Sequence, residues 1–415
     1  MIRILRLMLI LIVFGFNVSA QKIIHKILSL QQCVDFAMEH NANIKTGKLE
    51  IDYQKQFKKG ATEIPKANVL FAQGQFNSLY KYDNSVTLVQ TIPFPSVFTA
   101  HNALAKSYIK GSQFKLAATQ SDLIYQIKTA YYSLLYHYSI QDLLMKEDSI
   151  YESFAESGKN KYENGGGSFL EKTTAETKVM EIKNQMLEIE EDINTYHIQL
   201  QTLLNCEMEV DAIKEDLTTK PLQMAVDTSN FAEHPFLMYL NEQVIAGRKY
   251  KNLERSKILP DLQFGYWNLS IYGPADYGTG PYTLSTKDRL QGFLLGVNLP
   301  LWFYPNLARV KAADIKTQVA QSDYNYNKTM FEGQFKQAYN LYLKYQNSIK
   351  YYRSTALTNS KVIITQALKS YSNKEISYVD YLTVVSNALD IETNYLNVIY
   401  QNDLAVFKIE YLISK

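Results

Sequence analysis

Apolar residues recur at Ile182, Met186, Ile189, Ile193, Tyr196, Leu200 and Leu203, at spacings of 4-3-4-3-4-3. That 3.5-residue period is a heptad seam, and it predicts a helix packed against its neighbours in left-handed coiled-coil fashion. Near the C-terminus Ile391, Tyr395, Val398, Ala405, Ile409 and Leu412 keep most of the same seam, with Asn402 as its polar exception. Two longer stretches, Val97 to Glu156 and Leu307 to Ser370, contain no proline and almost no glycine. In the first of them Ile124, Ile127, Tyr131, Leu134 and Tyr138 again run 3-4-3-4. Some sixty residues at about 1.5 Å each make a rod of about 90 Å. A rod of that length exceeds a bilayer about threefold and crosses a compartment rather than a membrane. Each rod is predicted to end in a short turn, Gly158 to Ser168 or Asn373 to Ser377, from which a heptad helix returns antiparallel. Shorter helices, Leu30 to Ala61 and Asn230 to Lys257, precede two segments that alternate like strands, about 66–93 and 261–300.

The chain is one module written twice. Adding 209 carries Tyr162 onto Tyr371, Asn164 onto Asn373, Ser168 onto Ser377, Glu171 onto Asp380, Glu181 onto Asp390 and Leu203 onto Leu412, without a gap from Tyr162–Asn205 to Tyr371–Ser414. Upstream, Ile64-Pro65 matches Leu259-Pro260, and Ile92-Pro93 matches Leu299-Pro300. The second hairpin is 12 residues longer, around Tyr272-Gly273-Pro274 to Thr279-Gly280-Pro281, which marks its exposed loop end. The organisation expected is a leader at 1–20 and one unit over 21–415 built of two repeats, 21–220 and 221–415.

The strand segments allow two readings. Phe293, Leu295, Val297 and Leu299 alternate with Gly292, Gly296 and Asn298, while Leu294 breaks the pattern. Aromatics at the segment ends (Tyr80, Tyr82, Phe94, Phe98, Tyr266, Trp267, Tyr272, Trp302, Phe303, Tyr304) suit a membrane-interface girdle. A small soluble sheet with one polar face is the other reading. In lipid a sheet cannot leave an open edge, and four strands are too few to close around anything. The membrane reading therefore requires several chains to share one barrel.

Composition narrows the class. Arg3 and Arg6, the apolar run Leu7 to Phe16 and Val18-Ser19-Ala20 predict a cleaved export signal, too short to span a bilayer. Lys and Arg number 43 against 41 Asp and Glu, and setting aside Arg3 and Arg6 makes the two equal, so nothing points to nucleic acid. Cys33 and Cys206 make no disulfide framework and are expected as buried free thiols. The six histidines are scattered, and no catalytic, cofactor or metal constellation is present. Gly165-Gly166-Gly167 lacks a preceding strand and reads as a turn rather than a phosphate cradle.

Three segments, in order, resemble the TolC family of outer-membrane efflux channels over essentially the whole mature chain. They are Leu28-Ser29-Leu30-Gln31-Gln32-Cys33-Val34-Asp35-Phe36-Ala37 with Asn41 to Ile44, then His234-Pro235-Phe236-Leu237 with Ile258 to Leu262, and Tyr371 to Asp380 leading to Lys408-Ile409-Glu410-Tyr411-Leu412. The resemblance implies a mainly α chain with a pair of β-hairpins, used as a homotrimer. Each copy would give four strands to a shared twelve-stranded barrel in outer-membrane lipid and its helices to a periplasmic α-barrel. It implies a passive exit channel for efflux or type I secretion, docked on a periplasmic adaptor (membrane fusion) protein and an inner-membrane pump of RND or ABC type. Asp380, its repeat equivalent Glu171, and Tyr371 match the periplasmic gate, and the turns with Gly165, Gly166, Gly167, Asn373, Lys374 and Ser377 match the tips where the adaptor docks. Thr383 stands where the family has a second gate acid, Ile376 where it has an arginine, and Lys374 where it has a tip glycine. Six carboxylates around one axis would hold cations and disfavour anions. The plainer role for each is a first-turn carboxylate favoured by the helix dipole. The rival function is a soluble periplasmic coiled-coil adaptor or scaffold.

Overall fold

A computed structural model describes residues 25–75, 82–222, 233–276, 280–285 and 287–413. The expected leader at 1–20, Tyr80, the end of the first strand at Asn77, residues 230–232 of the expected helix, Thr279 in the loop insertion and Ser414 lie outside them.

In chain order the elements are β1 (His25–Leu28), α1 (Leu30–His40), α2 (Ala42–Lys59), β2 (Asn68–Gly74), β3 (Asp83–Ile92), α3 (Pro95–Glu163), α4 (Phe169–Leu204), β4 (Glu209–Ala212), α5 (Pro235–Ser256) and β5 (Asp261–Ser270). They continue with β6 (Gly273–Asp276), β7 (Pro281–Leu284), β8 (Arg289–Asn298), α6 (Phe303–Tyr351), a π-helical turn Tyr352–Ala356, α7 (Leu357–Ser372) and α8 (Tyr378–Leu412). Among the described residues no helix is long and apolar enough to cross a membrane.

The rods form as their patterns predict, with boundaries set by caps. Asn41 breaks the expected Leu30–Ala61 helix in two, because its side chain accepts the N–H groups of Asn43 and Ile44 and starts α2. His234 does the same for α5, accepting the Phe236 N–H ahead of Pro235, so that helix begins later than expected. At its other end α3 runs on through Gly158 to Glu163. A helical glycine is locally unfavourable, but Gly158 is buried against Tyr378, whose hydroxyl donates to the Phe154 carbonyl at 2.6 Å. Packing wins, and the turn shrinks to 164–168.

Two compact units divide the chain, and each draws on both halves of the sequence. The first comprises the described residues 25–40, 127–217 and 359–397. Its core is the seam itself: Ile140, Leu144 and Tyr151 of α3 meet Val179 and Ile182 of α4, Ala367 of α7, and Tyr381, Val385 and Leu389 of α8. β1 and β4 pair in parallel at its side. Cys33 and Cys206 are free thiols here, Cys33 buried and Cys206 half-buried.

The second unit comprises 41–126, 218–358 and the described residues 398–413. Leu237, Phe331, Phe335, Ile409 and Leu412 form one cluster, and Leu104, Ala246 and Leu253 another. Asn402, the polar exception of the seam, is fully buried; it accepts the Gln346 amide at 2.9 Å and donates to the Asp403 carboxylate at 3.1 Å.

This unit also holds the antiparallel sheet β2-β3-β5-β8. Its register puts Val69, Phe71, Val86, Leu88, Ile92, Leu262, Phe264, Tyr266, Phe293, Leu295 and Val297 on one face. Ser85, Thr87, Thr91, Gln263, Gly265, Gly292, Gly296 and Asn298 share the opposite face with Trp267 and with Leu70, Val89, Leu269, Leu290 and Leu294. Trp267 lies directly across from Gly292, where a Cβ would come within 2.7 Å of its ring. Both faces are open in the single chain, and the more apolar one is the more exposed, with Phe293 85% and Leu295 81% exposed against 53% for Leu70 and 42% for Leu294 on the other. A soluble sheet would bury the more apolar face.

Candidate functional site

The two turns of the first unit are one turn built twice. The Gly166 N–H reaches back to the Lys161 carbonyl at 2.9 Å and the Gly165 N–H to Tyr162 at 3.0 Å. At 209 residues on, Glu375 bonds Ser370 at 2.9 Å and Lys374 bonds Tyr371 at 3.0 Å. This 6→1 pattern ends a helix on one left-handed residue. That residue is Gly165 (φ 74°) in the first turn and Lys374 (φ 60°) in the second. The departure at Lys374 thus keeps the glycine's conformation at a steric cost.

The next helices start alike. The Ser168 hydroxyl accepts the Glu171 N–H at 3.1 Å while the Glu171 carboxylate accepts the Ser168 N–H at 3.3 Å. Ser377 and Asp380 repeat the exchange at 3.1 and 3.3 Å, and the Ser377 hydroxyl also donates to Asp380 at 2.6 Å. Both candidate gate acids therefore hold capping boxes, the plainer role that first-turn position allows. Asp380 is exposed and Glu171 half-buried.

Tyr371 anchors an aromatic stack. Its ring lies parallel to Tyr381 with centroids 5.0 Å apart and tilted to Tyr378 at 5.6 Å. Burial raises the pKa values of Tyr378 and Tyr381, so both stay neutral. The Lys161 ammonium sits over the Tyr371 ring and also donates to its hydroxyl. Ile376 packs against the first unit's apolar cluster, and the Thr383 hydroxyl bonds back to the Val379 carbonyl at 2.9 Å. Glu375, absent from the candidates, accepts from Ser370 at 2.9 Å and Asn373 at 3.1 Å, which together hold its carboxyl below the usual range. Lys161 was not among the candidates either: it stands one residue before the gap-free repeat, and its equivalent is Ser370. A break in the repeat at the turn was the available signal.

Residues 153, 156, 157, 160, 161, 164 and 166 line an open groove of about 470 Å³ beside the first turn. Among the described residues no group of three metal-ligating side chains forms a centre.

No family model matches this chain, and no curated protein matches it by sequence. Solved structures do. The outer-membrane channel OprN is similar with a TM-score of 0.78 at 13% identity, over 92% of this chain and 89% of that one. VceC, an outer membrane protein of Vibrio cholerae, gives 0.75 at 13% identity, over 92% and 95%. The Campylobacter jejuni outer membrane channel CmeC gives 0.73 at 16%, over 92% and 85%. The likeness runs over more than nine-tenths of this chain, and the fold of this chain is that of the TolC-type outer-membrane channels.

Proposed function

We propose that three copies of this chain form a passive outer-membrane exit channel for a tripartite efflux or type I secretion system, with no chemistry of its own. The observation that carries this is the inverted sheet. The more apolar face is the more exposed one, and the opposite face mixes glycine, threonine, glutamine and asparagine with several leucines, so lipid against the first and water against the second suits the contrast between them. Among the described residues β2 and β8 each lack a second partner strand, and in lipid those edges need strands from further copies. The two repeats, 21–220 and 221–415 behind a leader at 1–20, would act as one unit, with the sheet in the outer membrane and the helices in the periplasm.

Under this reading the doubled turns face a periplasmic adaptor and an RND- or ABC-type pump, with Gly165, Gly166, Gly167, Asn373, Lys374 and Ser377 as the docking tips. Asp380, Glu171 and Tyr371 line the gate, and the Lys161–Tyr371 contact serves as its latch. The rival soluble scaffold is disfavoured by the exposure of the apolar face. Purification decides between them: the channel needs detergent, migrates as a trimer and conducts in planar bilayers. A monomer released by osmotic shock that forms no pores would refute the proposal.

A further inference from the structure

Counting by sevens from Ser133 along α3 gives Ile140, Glu147 and Phe154. Ile140 and Phe154 both pack in the apolar cluster of the first unit, so position 147 is a seam position occupied by an acid. Glu147 is only 9% exposed, and its seam neighbours Leu144 and Tyr151 are buried as well. The charged groups facing it come from the two returning helices: Lys178 and Glu181 of α4, and Asp390 and Glu392 of α8. α7 offers the cluster Ile364, Ala367 and Tyr371, none of them a charged group. Glu181 and Asp390 are the same position of the internal repeat, so the symmetry supplies a carboxylate from each side. The lone cation of the set, Lys178, is bound to Glu181 at 3.1 Å. An ionised Glu147 would be stripped of water among three like charges, whereas a neutral carboxylic acid would pack as a core side chain.

We propose that Glu147 is a proton-binding site whose occupancy sets how tightly α3 packs against α4 and α8. Protonated, it completes the seam; ionised, it draws water in and loosens the three-helix contact. Burial first, then Asp390, pushes its pKa from the ordinary 4.5 up to about 7, so the change falls near neutral pH. The site does not depend on the channel reading, because its test reads packing rather than conduction.

The test uses the full-length protein in detergent, wild type and Glu147→Gln, which keeps the shape of the neutral acid. Hydrogen exchange of segments 140–154 and 385–392 is compared at pH 6 and pH 8.5 after correction for intrinsic rates. Wild-type protection should fall about tenfold between the two, while Glu147→Gln should stay as protected at pH 8.5 as the wild type at pH 6. Equal pH dependence in both proteins, or none in the wild type, overturns the proposal. Should the variant fail to fold, infrared titration of wild-type protein with labelled glutamate decides. A protonated-carboxyl band lost near pH 7 supports the site, and its absence at pH 6 removes it.

Discussion

The Lys161 ammonium lies 4.6 Å from the centre of the Tyr371 ring and donates to its hydroxyl, tying the last turn of α3 to the last turn of α7. A cation over an aromatic face at an accessible site is worth about 0.5–1 kcal/mol. That is weak enough to be broken by a docking partner and strong enough to bias a closed state. Lys161→Ala should therefore raise the open fraction of reconstituted channels two- to fivefold (about 0.5–1 kcal/mol), with Tyr371→Phe having a smaller effect. Single-channel recording measures this, and wild-type traces from both variants would remove the latch.

The capping boxes separate charge from structure at the two gate acids. Glu171→Ala and Asp380→Ala should each lose about 1 kcal/mol of helix-start stability. Glu171→Gln and Asp380→Asn remove the charge but retain an acceptor for the serine N–H. If the acids act as a cation-holding ring, the amide variants should reduce block by multivalent cations as much as the alanines do. Unchanged block with the amides, alongside lower melting temperatures with the alanines, would leave only the capping role.

Lys374 holds a left-handed conformation that its repeat equivalent assigns to Gly165. Non-glycine residues pay about 1 kcal/mol there. Lys374→Gly should then raise the denaturation midpoint slightly, and Gly165→Ala should lower it. A Lys374→Gly protein less stable than wild type would mean that the lysine side chain makes a compensating contact.

Asp403 is fully buried, accepting the Lys220 N–H at 2.8 Å and the Asn402 amide at 3.1 Å. Burial raises its carboxyl from 3.8 to about 6. The folded state thus binds this proton more tightly than the unfolded chain. Its contribution to stability is complete below about pH 4 and is lost as the pH climbs through 6. Asp403→Asn should abolish that loss and stabilise the protein at pH 8 by up to about 3 kcal/mol, since each unit is worth about 1.4 kcal/mol. Melting curves from pH 4 to 8 on wild type and variant check the sign.

A charge on the more apolar face of the sheet should be costly. Leu295→Arg should destabilise the assembled protein by about 2–4 kcal/mol if that face meets the bilayer midplane, whereas Thr87→Arg on the other face should assemble normally. Detergent-resistant oligomer on a gel is the readout. Equal tolerance of both would contradict a lipid-facing surface.

Much of this architecture was readable from spacing. The seam of Ile182, Ile193 and Leu200 is buried as its period requires, and the paired prolines bracket the strands. Periodicity succeeds there because burial acts on whole helix faces. Helix ends were less legible, since those at Asn41, His234 and Gly158 are decided by one or two capping hydrogen bonds or one packed ring. The strand pattern gave alternation but not which residues of different strands share a face; only the register across four strands assembles the more apolar side. Lys161, Glu147 and Asp403 escaped notice for a shared reason. Each acts through a partner far along the chain, and no local motif records such a contact.

The π-helical turn at Tyr352–Ala356 has a bearing on how the two halves diverged. Pro93 and Pro300 stand 207 residues apart, but Tyr162 and Tyr371 stand 209 apart, so the later rod is two residues longer between its proline and its turn. A turn closed by i→i+5 bonds accommodates one residue more than an α turn without severing the helix. At least part of the insertion is thus swallowed at one place. The duplicated copy could lengthen by mutation while everything beyond the bulge kept its phase.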